Sequence, residues 1–304
     1  MEALVQPKTW RLWERPARPA AFQITERDVE VLRMVGRYRF VRPAHVHALF
    51  GGSPTNLNRR LRLLWEHGYL ERPKALRPTK ILTEQLVYGL GREGARLLEQ
   101  RFPTLRVGQL DWTPKKQVGW PYVDHQLGIV DCLVTLQLAC DRRDVRLHWD
   151  GHANRLRYVL KLPGAHDSVL PDAYFKLETA GHETTHCFLE VDRGSVSLQR
   201  MHERYEHYFA WWRQRIATHG RYRVRVLTIT EDPAYVDSLR RVAADVGRDQ
   251  GHASWRGLLF GHRWSFNLKH PERILDPIFR YASARSGDGH SDKEAAADHP
   301  VALI

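Results

Sequence analysis

Apolar residues recur at helical spacing twice near the start of the chain. Val29, Val31, Leu32 and Val35 predict a helix capped by Thr25, with Asp28 three residues on, ending near Arg37. Leu57, Leu61, Leu64 and Trp65 predict another, capped by Ser53, opened by Pro54 and stopped by Gly68. Between them 43–50 reads as a short helix broken by Gly51-Gly52. Strand-like runs follow at 69–72 and 82–90, around a basic loop, and then a helix from about Arg92. The stretch 102–119 has no period and predicts a linker. Beyond it, 123–140 is a strong helix, 145–149 and 158–162 are strands, and two apolar runs around Gly181 form a hairpin. A long helix at 197–219 carries Met201, Tyr205, Tyr208, Phe209, Trp212 and Ile216 as a core stripe. A strand at 223–230, a helix at 232–246 and a strand at 255–262 complete the pattern.

This order implies an α+β chain in several parts. Residues 1–22 are a flexible basic arm, 23–101 a first domain, 102–119 the linker, 120–282 a second domain with a mixed sheet flanked by helices, and 283–304 a disordered tail. The net charge of +12 is unevenly placed. Residues 1–119 hold 22 Lys and Arg against 11 Asp and Glu, whereas 120–304 hold 25 against 24. A basic module beside a neutral one points to nucleic acid as the partner of the first. No apolar run is long enough to cross a membrane, and no signal peptide opens the chain. The cysteines Cys132, Cys140 and Cys187 lie in apolar runs without metal-ligand spacing, which predicts reduced thiols and a cytoplasmic protein.

The first domain's order of three helices, hairpin and helix resembles the winged helix-turn-helix class. The run Arg59-Arg60-Leu61-Arg62-Leu63-Leu64-Trp65-Glu66-His67-Gly68-Tyr69-Leu70-Glu71 looks like its recognition helix entering the wing. The polar side of that helix offers Thr55, Asn56, Asn58, Arg59, Arg60 and Arg62. Arg and Asn can pair bidentately with guanine and adenine in the major groove of double-stranded DNA. Lys74, Arg77 and Lys80 on the wing are candidates for phosphate contacts.

The second domain's candidate chemistry lies in the hairpin. With its tip at Gly181, Asp172 faces Glu190, with Cβ atoms ~5 Å apart, and Asp192 shares their face. Ala173, Phe175, Leu177, Cys187, Leu189 and Val191 form the opposite, core face. Three carboxylates on one half-buried patch need a cation, and Mg²⁺ or Mn²⁺ held by Asp172, Glu190 and Asp192 is the natural choice, the alternative being a solvated polar face without metal.

Helix, three strands, helix, strand resembles the core of PD-(D/E)XK nucleases. Pro171-Asp172 matches their first motif element, and Glu190-Val191-Asp192 the second, except that Asp192 stands where that family has lysine. Lys176 lies ~13 Å along the strand from Asp172, too far to replace it. The resemblance implies a catalytic set of Asp172, Glu190, Asp192 and a flanking His125, with Gln199 another candidate. Together, the winged helix, His125-Gln126-Leu127-Gly128-Ile129-Val130-Asp131, Leu170-Pro171-Asp172-Ala173 and Phe188-Leu189-Glu190-Val191-Asp192-Arg193-Gly194 resemble the replication-relaxation family of plasmids and other mobile elements. That resemblance implies a DNA-binding protein of mobile-element maintenance. It leaves two alternatives for the second domain: a Mg- or Mn-dependent endonuclease or nickase, or a noncatalytic scaffold in a replication initiator or transcription factor. By analogy with winged-helix proteins, a homodimer could form through 197–219.

His182-Glu183-Thr184-Thr185-His186 matches the HExxH motif of zinc proteases, but Gly181 and the strand-like run after it predict an extended chain. There the two histidines would stand ~13 Å apart and could not share one zinc ion.

Overall fold

A computed structural model describes residues 13–73, 86–103, 118–152, 158–161, 168–194, 196–219, 223–251, 256–282 and 299–304. It forms two compact units, Met1–Val130 with Gly151–Ala153, and Asp131–Asp150 with Asn154–Ile304.

In the first unit, α1 (Glu26–Tyr38) leads through β1 (Phe40–Val41) to α2 (Pro43–Phe50) and α3 (Pro54–Glu66). The strands β2 (Leu70–Glu71) and β3 (Tyr88–Leu90) and the helix α4 (Arg92–Arg101) follow. The three short strands pair in the order β1-β3-β2, both pairs antiparallel. This is the element order and sheet of a winged helix. The strand β1 breaks no helical period and was not expected from the sequence; its Phe40 and Val41 are fully buried. Thr25 caps α1 in a reciprocal box, its hydroxyl accepting from the Asp28 N–H while the Asp28 carboxylate accepts from the Thr25 N–H at 2.8 Å. Gly51 and Gly52, with φ of 65° and 89°, turn the chain from α2 into α3 in a region other residues avoid.

The start of α4 comes too close to the β2 approach for any side chain. A Cβ on Gly94 would lie 2.3 Å from the Tyr69 carbonyl oxygen. Gly94→Ala is therefore expected to cost about 1–3 kcal/mol, read as a lower midpoint in denaturant unfolding.

The helix α5 (Trp120–Arg142) begins in the first unit. Its Val123 and Leu127 pack with Phe40 and Val87, so residues 118–130 group with the winged helix, beyond the boundary expected at 102–119.

The second unit is built on a six-stranded sheet of order β11-β10-β9-β8-β7-β4. Its strands are β4 (Arg146–His148), β7 (Ala173–Glu178), β8 (Thr185–Asp192), β9 (Val224–Thr230), β10 (Leu258–His262) and β11 (Arg280–Tyr281). A separate ribbon joins β5 (Leu160–Lys161) to β6 (Ser168–Val169). Pairs β4–β7, β7–β8 and β10–β11 are antiparallel, whereas β8–β9 and β9–β10 are parallel. The parallel pairs need crossovers, which α6 (Leu198–His219) and α7 (Pro233–Asp249) supply. Both helices pack on one face of the sheet, where Tyr174, Phe188, Val226, Leu258 and Phe260 meet Met201, Tyr205, Tyr208, Phe209, Leu239 and Ala243.

The fold is α+β, and α5, β4, β7, β8, α6 and β9 reproduce helix, three strands, helix, strand. The expected tail differs at its end: Val301 pairs with Phe279 and Leu303 is fully buried, so 299–304 return to the sheet edge. Residues 283–298 lie outside the described residues. Among the described residues, no helix is long and apolar enough to cross a membrane.

Candidate functional site

Two sets of side chains carry the candidate chemistry, one in each unit. In the first, the buried side of α3 is Leu57, Leu61, Leu64 and Trp65. On the opposite side, Thr55, Asn56, Arg59 and Arg62 are exposed, and Asn58 is half-buried. Arg62 remains 69% exposed while its Nε donates to Glu66 at 2.6 Å.

Arg60 departs from the expected role. Its Nε donates to Asp28 Oδ1 at 2.9 Å, its terminal nitrogen to the other oxygen of that carboxylate, and the same nitrogen to the Gln23 carbonyl at 2.7 Å. The guanidinium also lies over the Phe22 ring, 4.4 Å from its centre. Burial would raise the Asp28 carboxyl, but hydrogen bonds from Arg60 and Thr25 hold it below the usual aspartate value. Arg60 therefore ties α3 to the start of α1. Part of the arm expected to be flexible follows it onto this side of the unit. Phe22 stacks on His67, and Arg15 donates to the Trp65 and Leu70 carbonyls at 2.7 and 3.0 Å. Lys74, Arg77 and Lys80 lie outside the described residues.

In the second unit, the hairpin register is the expected one. Ala173 pairs with Leu189 and Phe175 with Cys187, which puts Asp172 opposite Glu190 at the open end. The carboxylate face differs from expectation in being a core face, because α6 lies on it. Glu190 is 2% and Asp192 3% exposed, and only Asp172 is half-buried. Their oxygens are turned to different partners. Asp172 Oδ2 accepts from the Val191 N–H at 2.8 Å, and Asp192 Oδ1 from the Gly194 N–H at 3.0 Å. Glu190 Oε1 accepts from the Tyr208 hydroxyl at 2.5 Å, while Oε2 is ion-paired with Arg204. Tyr208 and Arg204 are one turn apart on α6, so one helix face delivers both.

Glu190 raises the affinity of Arg204 for its proton, and burial pushes the Tyr208 hydroxyl well above its ordinary value. Both groups stay as donors near neutral pH. A second set of ion pairs closes the same end of the sheet, where β8, β9 and β10 terminate. Arg263 bridges Asp131 at 2.8 Å and Glu231 at 2.7 Å, and Arg193 reaches Glu231 at 3.5 Å.

In the expected divalent-metal set, protein groups thus engage both oxygens of Glu190 and one oxygen each of Asp172 and Asp192. A hard cation needs the free oxygens of converging carboxylates. Both oxygens of Glu190 already serve a guanidinium and a phenol. Among the described residues, no group of three or more His, Cys, Asp and Glu side chains could hold a metal ion. His125 belongs to the part of α5 that groups with the first unit. Gln199 is exposed and turned along α6 to Glu203, at 3.2 Å.

Arg204 and Arg263 are the residues that sequence reasoning missed. The only trace of Arg204 in the sequence was its place four residues before Tyr208 within the apolar stripe of 197–219.

The HExxH run is not helical. His182 lies in the hairpin turn and His186 on β8, where its Nδ1 shares a hydrogen bond of 2.6 Å with the Tyr174 hydroxyl. Burial, helped by Lys176 and Arg215, pushes His186 down to about 4, so the ring is neutral near pH 7.

The replication-relaxation model matches residues 32–226, which is well over half of the chain and spans both units. The chain belongs to the replication-relaxation family. Membership gives it a role in the replication or relaxation of plasmids and other mobile elements. No curated protein and no solved structure gives a match.

Proposed function

We propose that this replication-relaxation protein acts on mobile DNA by gripping duplex DNA with the exposed stripe of α3. The observation that carries this reading is the stripe itself. Thr55, Asn56, Arg59 and Arg62 project together from the side of the helix opposite Leu57, Leu61 and Leu64, on a unit with winged-helix order. A helix fits the major groove, and these side-chain types read base edges or bind phosphate there. The excess positive charge of residues 1–119 supports the same reading.

The test is duplex binding by fluorescence anisotropy across a salt series. Affinity should fall linearly with salt on logarithmic axes. Arg59→Ala and Arg62→Ala should each weaken binding, and each should reduce the slope by about 1 if the residue contacts phosphate. An Arg at a base edge should instead lose about 1–3 kcal/mol and relax sequence preference at one position. Binding that ignores salt, or that survives both substitutions unchanged, would sink the proposal.

A further inference from the structure

We infer that Arg204 is the resident cation of the acidic site in the second unit, standing where a divalent metal would be held in a PD-(D/E)XK nuclease. The inference concerns the second unit alone and stands whether or not α3 binds DNA.

Three observations converge on it. First, β7 and β8 bring Asp172 and Glu190 into register, with Asp192 next along the same face, the arrangement that calls for positive charge. Second, that charge is supplied by the protein. The Arg204 guanidinium pairs with Glu190 Oε2, and Glu190 in turn strengthens the hold of Arg204 on its proton. Asp172 also adds to the negative potential felt by Arg204. Third, the remaining Glu190 oxygen is closed by the buried Tyr208 hydroxyl.

A metal at Glu190 would have to displace a guanidinium and leave a buried phenol without its acceptor. It would also have to approach a fixed positive charge through low-dielectric surroundings, where like charges repel strongly. The Asp131–Arg263–Glu231–Arg193 chain repeats the pattern, with Asp131 of α5 and Glu231 at the end of β9 matched by arginines. The Arg204 side chain is one-third exposed and that of Glu190 3% exposed, so the guanidinium lies on the solvent side of the pair. The site is thus a self-neutralised ionic core, and it works without a divalent ion.

The test uses the full-length protein in two measurements. In the first, Mn²⁺ is titrated and free ion is followed by electron paramagnetic resonance. The wild type is expected to take up no more Mn²⁺ than Glu190→Gln. Stoichiometric uptake by the wild type that Glu190→Gln abolishes would overturn the inference. So would Mn²⁺-dependent nicking of plasmid that Asp172→Ala abolishes.

The second is a thermal-unfolding cycle of Arg204→Met, Glu190→Gln and the double variant. Arg204→Met alone strands a buried carboxylate and should lower the melting temperature by several degrees. The double variant should recover most of that loss, because neither charge remains. Additive losses in the double variant would mean that the pair does not form, and would also overturn the inference. Should Arg204→Met fail to fold, the Mn²⁺ titration of the wild type against Glu190→Gln decides the matter alone.

Discussion

Replacing Arg60 by alanine is expected to lower the stability of the N-terminal unit by about 3 kcal/mol, the low end of the range for removing one partner from a buried ion pair, because the Arg60 side chain is itself 29% exposed. Asp28 is 2% exposed, and Arg60 supplies two of the contacts to its carboxylate. Without Arg60, among the described residues only the Thr25 backbone and hydroxyl remain to satisfy that charge. Denaturant unfolding followed by circular dichroism would measure the loss, and adding Asp28→Asn should recover part of it.

The sign of the pH dependence follows. The folded-state value of Asp28 lies below its unfolded value, near 3.9. Its stabilisation is complete above the unfolded value and is lost as pH falls through the folded one. The wild type should therefore lose stability in acid, and Arg60→Ala should show a shallower decline. Because the clamp holds α3 in place, the same variant should also bind DNA poorly, but as a consequence of unfolding. Binding that weakens with no change in stability would restore Arg60 as a direct reader of DNA.

Phe188→Ala is expected to cost a similar amount, about 3–5 kcal/mol, in the second unit. Phe188 is 1% exposed on β8, with its ring centre 5.2 Å from Tyr174, 5.3 Å from Tyr208 and 4.9 Å, edge-on, from Trp211. Truncation removes these contacts and leaves a cavity between strand and helix that rigid aromatic neighbours fill poorly. Denaturant unfolding followed by circular dichroism measures the loss. A loss below about 1 kcal/mol would show that α6 packs less closely on β8 than the structure has it.

Several features were legible in the sequence because they are local or periodic. The caps at Thr25 and Ser53, the Gly51-Gly52 break and the α3 stripe each depend on residues a few positions apart. The β7–β8 register was legible for the same reason. A turn at Gly181 and a period of two put Asp172 opposite Glu190 with no information from elsewhere in the chain.

What was not legible depends on partners far apart in sequence. Arg60 resembles its neighbours Arg59 and Arg62, and only the packing of α3 against α1 shows that it turns inward to Asp28, 32 residues earlier. Likewise, nothing in Phe188-Leu189-Glu190-Val191-Asp192 shows that α6 will cover the face bearing the acids. The alternation suggests a wet face and a dry one, whereas β8, an inner strand of a mixed sheet, is buried on both faces. The strand β1 has two residues, too few for any period to register.

The two-residue repeat that aligns the acids also limits how this chain can drift. A one-position slip between β7 and β8 would swap Glu190 for Leu189 beneath α6, leaving Arg204 against a leucine and driving a carboxylate into the apolar layer with Phe175 and Cys187. Insertions or deletions between the two strands must therefore be absorbed at the tip, around the positive-φ Gly181, where an added Cβ would meet only open space. Natural variants should differ in length there and nowhere else along the hairpin, with Asp172 still level with Glu190 in all of them.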